Sequence, residues 1–499
     1  MSLGKQVAQG AIWNYAAFLV SKGLLFAATL ILAGILSPTE FGLVGMALLV
    51  ITGLDILRDF GIGAAVIYRQ RDGHAATNLA FYLSTAIGIL LCTGNWLLAP
   101  LFTQFFKTSD AQQAAQVTAL VQVLGLSLLF SGVGSIQDAL LQKQIDYRRR
   151  MIPEVGRTLI KGVCQVGLAL LGFGVWSLVV GQVVGEAGAT LILWRVSDWR
   201  PTRLIDTSLI NPIVRYGIQI TLLGGLGWIL ADVDYMLIGA LLSAAALGIY
   251  TLAFRIPELI IRNLAQAVSS VAFPVAARFQ DDLPLLRATY LRMQHYMLLI
   301  LAPLGFGLAA VTPGLLHLLF STKWEAAIVP MAILCIYTVM TSISHWPGVV
   351  YKAIGRPDIL NRLSLLKVVL LVPTLWWCAV NFGIEGVAWG QLAIRVATIL
   401  IDIAVVAQVV QVSVAANLRE IAPALGASAL MAGVVRLVYL LDPAERSVPL
   451  LLLAIGVGAA VYAALVWLLD RPAVMAVLLL GRSLLDRRRV APAAGTAGE

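Results

Sequence analysis

Apolar stretches of 20 or more residues follow one another almost from the first residue to about residue 470, separated by short polar connections, and this succession decides what the chain can become. As α-helix, each stretch crosses a hydrocarbon core of about 30 Å. Inside lipid the backbone must satisfy its own hydrogen bonds, which leaves helices and closed barrels. Barrel strands read as alternating segments of about ten residues, whereas runs such as Leu450 to Leu469 are continuous. The expected fold is therefore all-α and polytopic. With 60% of residues apolar and 12% charged, no water-soluble class fits.

About fourteen spans are expected, near residues 8–34, 41–67, 77–103, 113–142, 151–171, 174–194, 208–241, 246–275, 286–312, 325–351, 359–381, 385–411, 420–441 and 448–469. The first is too long for a cleaved signal, lacks a small-residue cleavage pattern and carries Asn14 and Lys22, so it reads as a spanning helix. Lys and Arg accumulate in cytoplasmic connections. Starting with Lys5 inside, alternate connections carry Arg69 and Arg71, Lys143 with Arg148 to Arg150, Arg195 with Arg200 and Arg203, Arg278 and Arg287, Lys352 with Arg356 and Arg362, and Arg419. The opposite ones carry Lys107, Lys323 and Arg446. The contrast, roughly 21 against 3 with the tail included, puts both termini in the cytoplasm. The net charge of +9 is thus a topology signal, and no nucleic-acid partner is implied. Residues 471–499 form a basic tail, with Arg482 and Arg487 to Arg489, expected to be disordered and read first as a stop-transfer anchor, with contact to anionic headgroups as the alternative.

Cys92, Cys164, Cys335 and Cys378 fall singly in apolar segments, and the four histidines are scattered, so neither a metal nor a cofactor is expected. Asp232-Val-Asp234 has the shape of a metal-binding DxD but sits in an apolar helix, and no phosphate-binding GxxxxGK[ST] loop occurs. No catalytic constellation is expected.

The chain repeats itself. Leu36, Ser37, Gly42 and Ala47 coincide with Leu242, Ser243, Gly248 and Ala253, and Phe173-Gly174 and Gly181-Gln182 coincide with Phe382-Gly383 and Gly390-Gln391. Six helices separate the copies, an even number, so the repeat is parallel, with a substrate path between two six-helix bundles. The expected organisation is 1–205 and 206–415 as the bundles, 416–470 as an additional helix pair, and the tail.

Charge inside the spans is costly, about 2.5 to 3.5 kcal/mol per residue at a helix centre, so it must face water or a partner. Asp55, Arg58 and Asp59 lie at helical spacing on the second span, and Arg255, Glu258 and Arg262 do so on the eighth, each set on one face. Lys22, Asp232, Asp234, Arg395 and Asp402 add to them. The excess is positive, which suits an anionic substrate in a cationic cavity, and Arg holds phosphate oxygens bidentately. Lys22, Arg58, Arg255, Arg262 and Arg395 are the candidate substrate ligands. Asp55, Asp59, Asp232, Asp234 and Glu258 are candidates for ion coupling or for charge pairing alone. Arg157 and Lys161 lie toward the cytoplasmic end of the fifth span, where snorkelling to headgroups explains them.

The segments LSPTEFGLVGMALLVITGLDILRDFGIGAAVI (Leu36 to Ile67), SGVGSIQDALLQKQIDYRRR (Ser131 to Arg150) and LGIYTLAFRIPELIIRNLAQAVSSVAFPVAARFQDD (Leu247 to Asp282) resemble the bacterial polysaccharide-transport (Wzx-like) oligosaccharide flippases of the multidrug/oligosaccharidyl-lipid/polysaccharide (MOP) superfamily. The resemblance covers the first twelve spans. It implies a MATE-like transporter, not an enzyme, that moves an undecaprenyl-diphosphate-linked oligosaccharide from the inner to the outer leaflet of the bacterial inner membrane, for cell-surface or exopolysaccharide assembly. Its expected partners are that polyprenyl diphosphate, membrane lipids, and a polymerase or export machinery. Arg58, Arg255 or Arg262, with Lys22, would hold the diphosphate. The last two spans look like the extra pair of the lipid II flippase, which makes lipid II export a rival. Multidrug or cation antiport and, from another class, a membrane-bound polysaccharide polymerase or ligase are further alternatives. The polymerase would need a large outer loop, and the outer connections here are short.

Overall fold

The computed structural model describes residues 20–68, 73–144, 146–202, 206, 210–266, 278–279, 282–441, 447–472 and 475. The start of the first expected span, the basic connection at 69–71, Arg203, residues 267–275, Arg446 and the basic tail beyond 475 lie outside them. Among the described residues every regular element is a helix. In chain order they are α1 (Val20–Ile35), α2 (Pro38–Asp59), α3 (Ile62–Tyr68), α4 (Gly73–Thr103), α5 (Ala111–Leu124), α6 (Leu126–Lys143), α7 (Tyr147–Leu170) and α8 (Val175–Val196). There follow α9 (Ile210–Leu241), α10 (Ala244–Pro257), α11 (Leu283–Leu319), α12 (Ile328–Ala353), α13 (Pro357–Val410), α14 (Val414–Val438) and α15 (Val448–Leu469).

Among the described residues eleven segments are long and apolar enough to cross a membrane, and the chain is a multi-pass membrane protein. The expected fourteen differ from these at three places. α1 is described only from Val20. α7 carries Arg148, Arg149, Arg150, Glu154, Arg157 and Lys161, too many charges for an apolar window. The expected spans 359–381 and 385–411 run on as α13, interrupted only at Gly383, where φ is 61° and ψ −147°.

That interruption is a reversal. A Cβ on Gly390 would lie 3.0 Å from Cys378 Sγ and 3.1 Å from Leu375 Cδ2, atoms that a straight helix would hold roughly 20 Å away at 1.5 Å rise per residue. Gly174, its counterpart in the repeat, has φ 54° and ψ −131° at the head of α8, and a Cβ on Gly181 would lie 3.1 Å from the Gln165 nitrogen of α7. Only glycine enters that backbone region without strain. Both copies therefore use one glycine turn to make an antiparallel helix pair.

The other half of the repeat is equally concrete. Ser37 caps α2, its hydroxyl accepting from the Glu40 N–H while the Glu40 carboxylate accepts from the Ser37 N–H at 2.8 Å. Ser243 caps α10 by accepting from the Ala246 N–H at 3.1 Å. A Cβ on Gly42 would fall on the Ala244 carbonyl, and a Cβ on Gly248 on the Pro38 carbonyl. Pro38 and Ala244 are equivalent positions, so α2 and α10 meet main chain to main chain in a self-complementary contact.

The chain forms two compact units. One contains residues up to Leu259, Leu319–Met331 and Leu360–Ile394. In it Trp324, fully buried, donates from Nε1 to the Ala33 carbonyl at 2.8 Å and packs edge-on to Phe41. The other contains Ile260–Leu318, Ala332–Ile359 and Arg395–Glu499. There α14 and α15 are held to α11: Tyr290 donates to Asn417 Oδ1 at 2.8 Å, and Tyr462 donates to the Leu299 carbonyl at 2.8 Å.

Candidate functional site

Within the first unit, α1, α2, α7, α8 and α10 enclose a cavity of about 160 Å³. Its cationic wall is built by the α7–α8 pair. Gly181, Gly185 and Gly188 recur on one face of α8 and let it close on α7; a Cβ on Gly185 would sit 2.8 Å from Lys161 Cβ. Arg157, Lys161 and Gln165 follow at intervals of four on α7, hence on one face. Lys161, Gln165 and Gln182 line the cavity, and Gln165 Nε2 donates to the Leu178 carbonyl at 2.9 Å. Opposite stands Arg255 of α10, whose Nη1 lies 3.6 Å from Glu258 Oε2.

Lys161 lies within electrostatic reach of Arg255, Arg157 and Lys22, with Glu186 as the neighbouring carboxylate. Arg157 Nε is 3.5 Å from Glu186 Oε2. The balance of the cluster is positive, and Lys and Arg together offer point-charge and forked donors suited to phosphate oxygens. The cavity is smaller than the roughly 300–1,000 Å³ of sites that enclose a drug-sized ligand. It accommodates a charged group, not a sugar chain.

The remaining predicted residues are distributed as follows. Arg58, 8% exposed, is paired with Asp55 and donates from Nη1 to the Ser131 carbonyl at 3.5 Å, so it serves the packing of α2 on α6 and does not line the cationic cavity. Asp59 is exposed at the end of α2, where Phe60 and Gly61 turn left-handed. Asp232 is half-buried on α9. Asp234, 2% exposed, accepts from the Tyr250 hydroxyl at 2.9 Å and from the Tyr235 N–H at 3.0 Å. In the second unit Arg395 donates to the Tyr337 hydroxyl at 3.2 Å and lies over its ring. Arg262, also there, is exposed.

Two expectations are corrected. Glu258 to Arg262 is a π-helical turn, because Pro257 lacks the N–H that would continue α10, so the eighth-span charges are not carried on one continuous α-helix, although Arg255 and Glu258 still pair. Lys161 does not snorkel; it lines the cavity with Arg255. The four-residue spacing from Arg157 to Gln165, facing a glycine-rich α8, is the sequence signal that would have revealed it.

A second cavity of about 790 Å³ lies between α2, the end of α4 and α9, with Leu54, Phe105, Trp228 and Met236 among its walls. Among the described residues no charged side chain lines it. α2 walls both cavities, with Val44 and Leu48 on the cationic one and Leu49 and Val50 on the apolar one.

Paired helices, a duplicated glycine turn and buried charge inside an apolar lobe belong to the MOP fold. The lipid II flippase MurJ in its inward closed conformation superposes with a TM-score of 0.76 over 93% of this chain and 100% of that one, at 13% identity. The family model described as polysaccharide biosynthesis protein matches residues 31–329, and the chain belongs to that family. It is 25% identical over 398 residues to the lipopolysaccharide biosynthesis protein WzxC of Escherichia coli K12, covering 79% of this chain and 80% of that one. It is 24% identical over 496 residues to the succinoglycan biosynthesis transport protein ExoT of Rhizobium meliloti, covering 98% of each.

Proposed function

We propose that this protein is a flippase that carries a polyprenyl-diphosphate-linked oligosaccharide from the cytoplasmic to the outer leaflet of a bacterial inner membrane, feeding a polymerase or export machinery. The observation that carries the reading is the small cationic cavity of Lys161 and Arg255 inside an apolar lobe, where a lipid diphosphate finds charge and hydrocarbon together. The apolar cavity across α2 offers adjacent room for isoprenoid chain. In this reading both termini are cytoplasmic, residues 1–205 and 206–415 are the rocking bundles, and 416–470 is an accessory pair. Lys22 assists at the phosphate site, and buried Asp234 is the carboxylate best suited to ion coupling.

The test is the distribution of lipid-linked glycan between the leaflets after deletion of the gene, read by accessibility of the glycan from outside. Loss of outer-leaflet glycan with accumulation of the inner-leaflet precursor is the expected result. Accumulation of peptidoglycan precursor instead would move the substrate to lipid II, and an unchanged distribution would refute glycolipid transport.

A further inference from the structure

Lys107 and Lys323 are two of the three cations that the charge alternation assigns to outer connections. Each follows the third span of its copy of the repeat, Lys107 behind α4 and Lys323 behind α11. Each reaches a helix of the other copy, and all the residues concerned belong to the first compact unit.

The target is in both cases the last turn of the copy's first helix, where carbonyls run out of main-chain donors. α1 and α9 end in register. The Leu36 N–H donates to the Leu32 carbonyl at 2.7 Å, and at the equivalent positions the Leu242 N–H donates to the Ile238 carbonyl at 2.9 Å. Beyond Leu36 the donors of α1 fail, because the Ser37 N–H is given to the Glu40 carboxylate and Pro38 has none. Trp324 Nε1 then donates to the Ala33 carbonyl at 2.8 Å, and Lys323 Nζ to the Gly34 carbonyl at 3.0 Å. At α9 the Lys107 main-chain N–H donates to the Gly239 carbonyl at 2.9 Å, and its Nζ to the Leu241 carbonyl at 3.2 Å.

The two arrangements correspond position by position. Ala33 and Gly239 are equivalent in the repeat, and so are Phe41 and Leu247. Buried Trp324 stands edge-on to Phe41, and a Cβ on Gly239 would meet buried Phe106 at 3.0 Å and Leu247 at 3.5 Å. Each clasp is thus an aromatic side chain next to a lysine, with the ammonium at the negative end of a helix dipole. The lysine bonds lie at the surface, where water replaces them when they break.

We propose that these two exchanged clasps are the outer gate of the protein and that they open together. The inference rests on the reading of 1–205 and 206–415 as rocking bundles. Each clasp joins a residue of one bundle to a helix of the other, so a rocking motion that opens the outer side breaks both, and one that opens the inner side breaks neither. The gate does not depend on which substrate passes it.

The experiment is the rate at which a maleimide labels the full-length protein in lipid nanodiscs when its only cysteine is Ala33→Cys, beneath Trp324. Lys107→Ala weakens the other clasp, which shares no residue with this one, and should speed labelling about two- to tenfold. In a protein that keeps native Cys335 alone, buried in α12, Lys107→Ala should leave labelling unchanged, which separates gate opening from general loosening. Should the Ala33 reporter not fold, Phe106→Cys read against Lys323→Ala decides in the same way. A reporter rate indifferent to the opposite lysine, no labelling in either protein, or an equal acceleration at Cys335 would overturn the proposal. Glycolipid transport is judged separately by the leaflet distribution, so a coupled gate with an unchanged distribution would keep the gate and change the cargo.

Discussion

Lys161 shows how a single side chain changes meaning between sequence and structure. Read alone it is a long cation near a helix end; set against the glycines of α8 it becomes the floor of a charged cavity with Arg255. Hydrogen bonds to charged groups contribute about 1.5–3 kcal/mol, a factor of roughly ten to a hundred in binding. Lys161→Ala and Arg255→Ala are therefore expected to cut glycolipid flipping in proteoliposomes by at least about tenfold, with Lys161→Arg keeping a measurable fraction. Arg262→Ala, at an exposed position, should leave flipping nearly intact. Asp234 makes a different demand. Asp234→Asn keeps one oxygen to accept from the Tyr235 N–H and an amide NH2 that can donate to the Tyr250 hydroxyl oxygen, whereas Asp234→Ala strands a buried hydroxyl and should cost about 1–3 kcal/mol in denaturant unfolding.

At the scale of helices, much of the architecture was legible because apolar length and capping chemistry are local. Ser37, Ser243, Ser413 and Ser447 each cap the helix that follows by accepting a main-chain N–H. What was hidden was non-local. The π-turn at Glu258 arises from the missing N–H of Pro257, and the burial of Arg58 depends on a carbonyl of α6 seventy-three residues away. The glycine turns lay between: the repeat marked Gly174 and Gly383 as equivalent, but only the backbone angles reveal that they reverse the chain. Gly383→Ala should therefore cost about 1–3 kcal/mol, and the same change at Gly174 should do likewise, both read as lowered melting temperatures. Trp324→Ala, which empties a fully buried site and frees the Ala33 carbonyl, should cost about 3–5 kcal/mol.

For the whole molecule, the charge alternation makes a topological prediction. In a background without the four native cysteines, Ser109→Cys should react with a membrane-impermeant maleimide from outside intact cells, and Arg200→Cys only after permeabilisation; the reverse pattern would invert the protein. The contact of α2 with α10 carries a last consequence. Because Gly42 meets the position equivalent to the one that Gly248 meets, the contact has the symmetry of an isologous dimer interface, preserved inside one polypeptide. Such an interface is lost as a unit. Ala at either glycine forces the two main chains apart, and the second substitution then finds the gap already opened, so the double variant should be scarcely less stable than either single one. The fused chain would in this way report, as a measurable non-additivity, the homodimer from which a duplicated half would have been built.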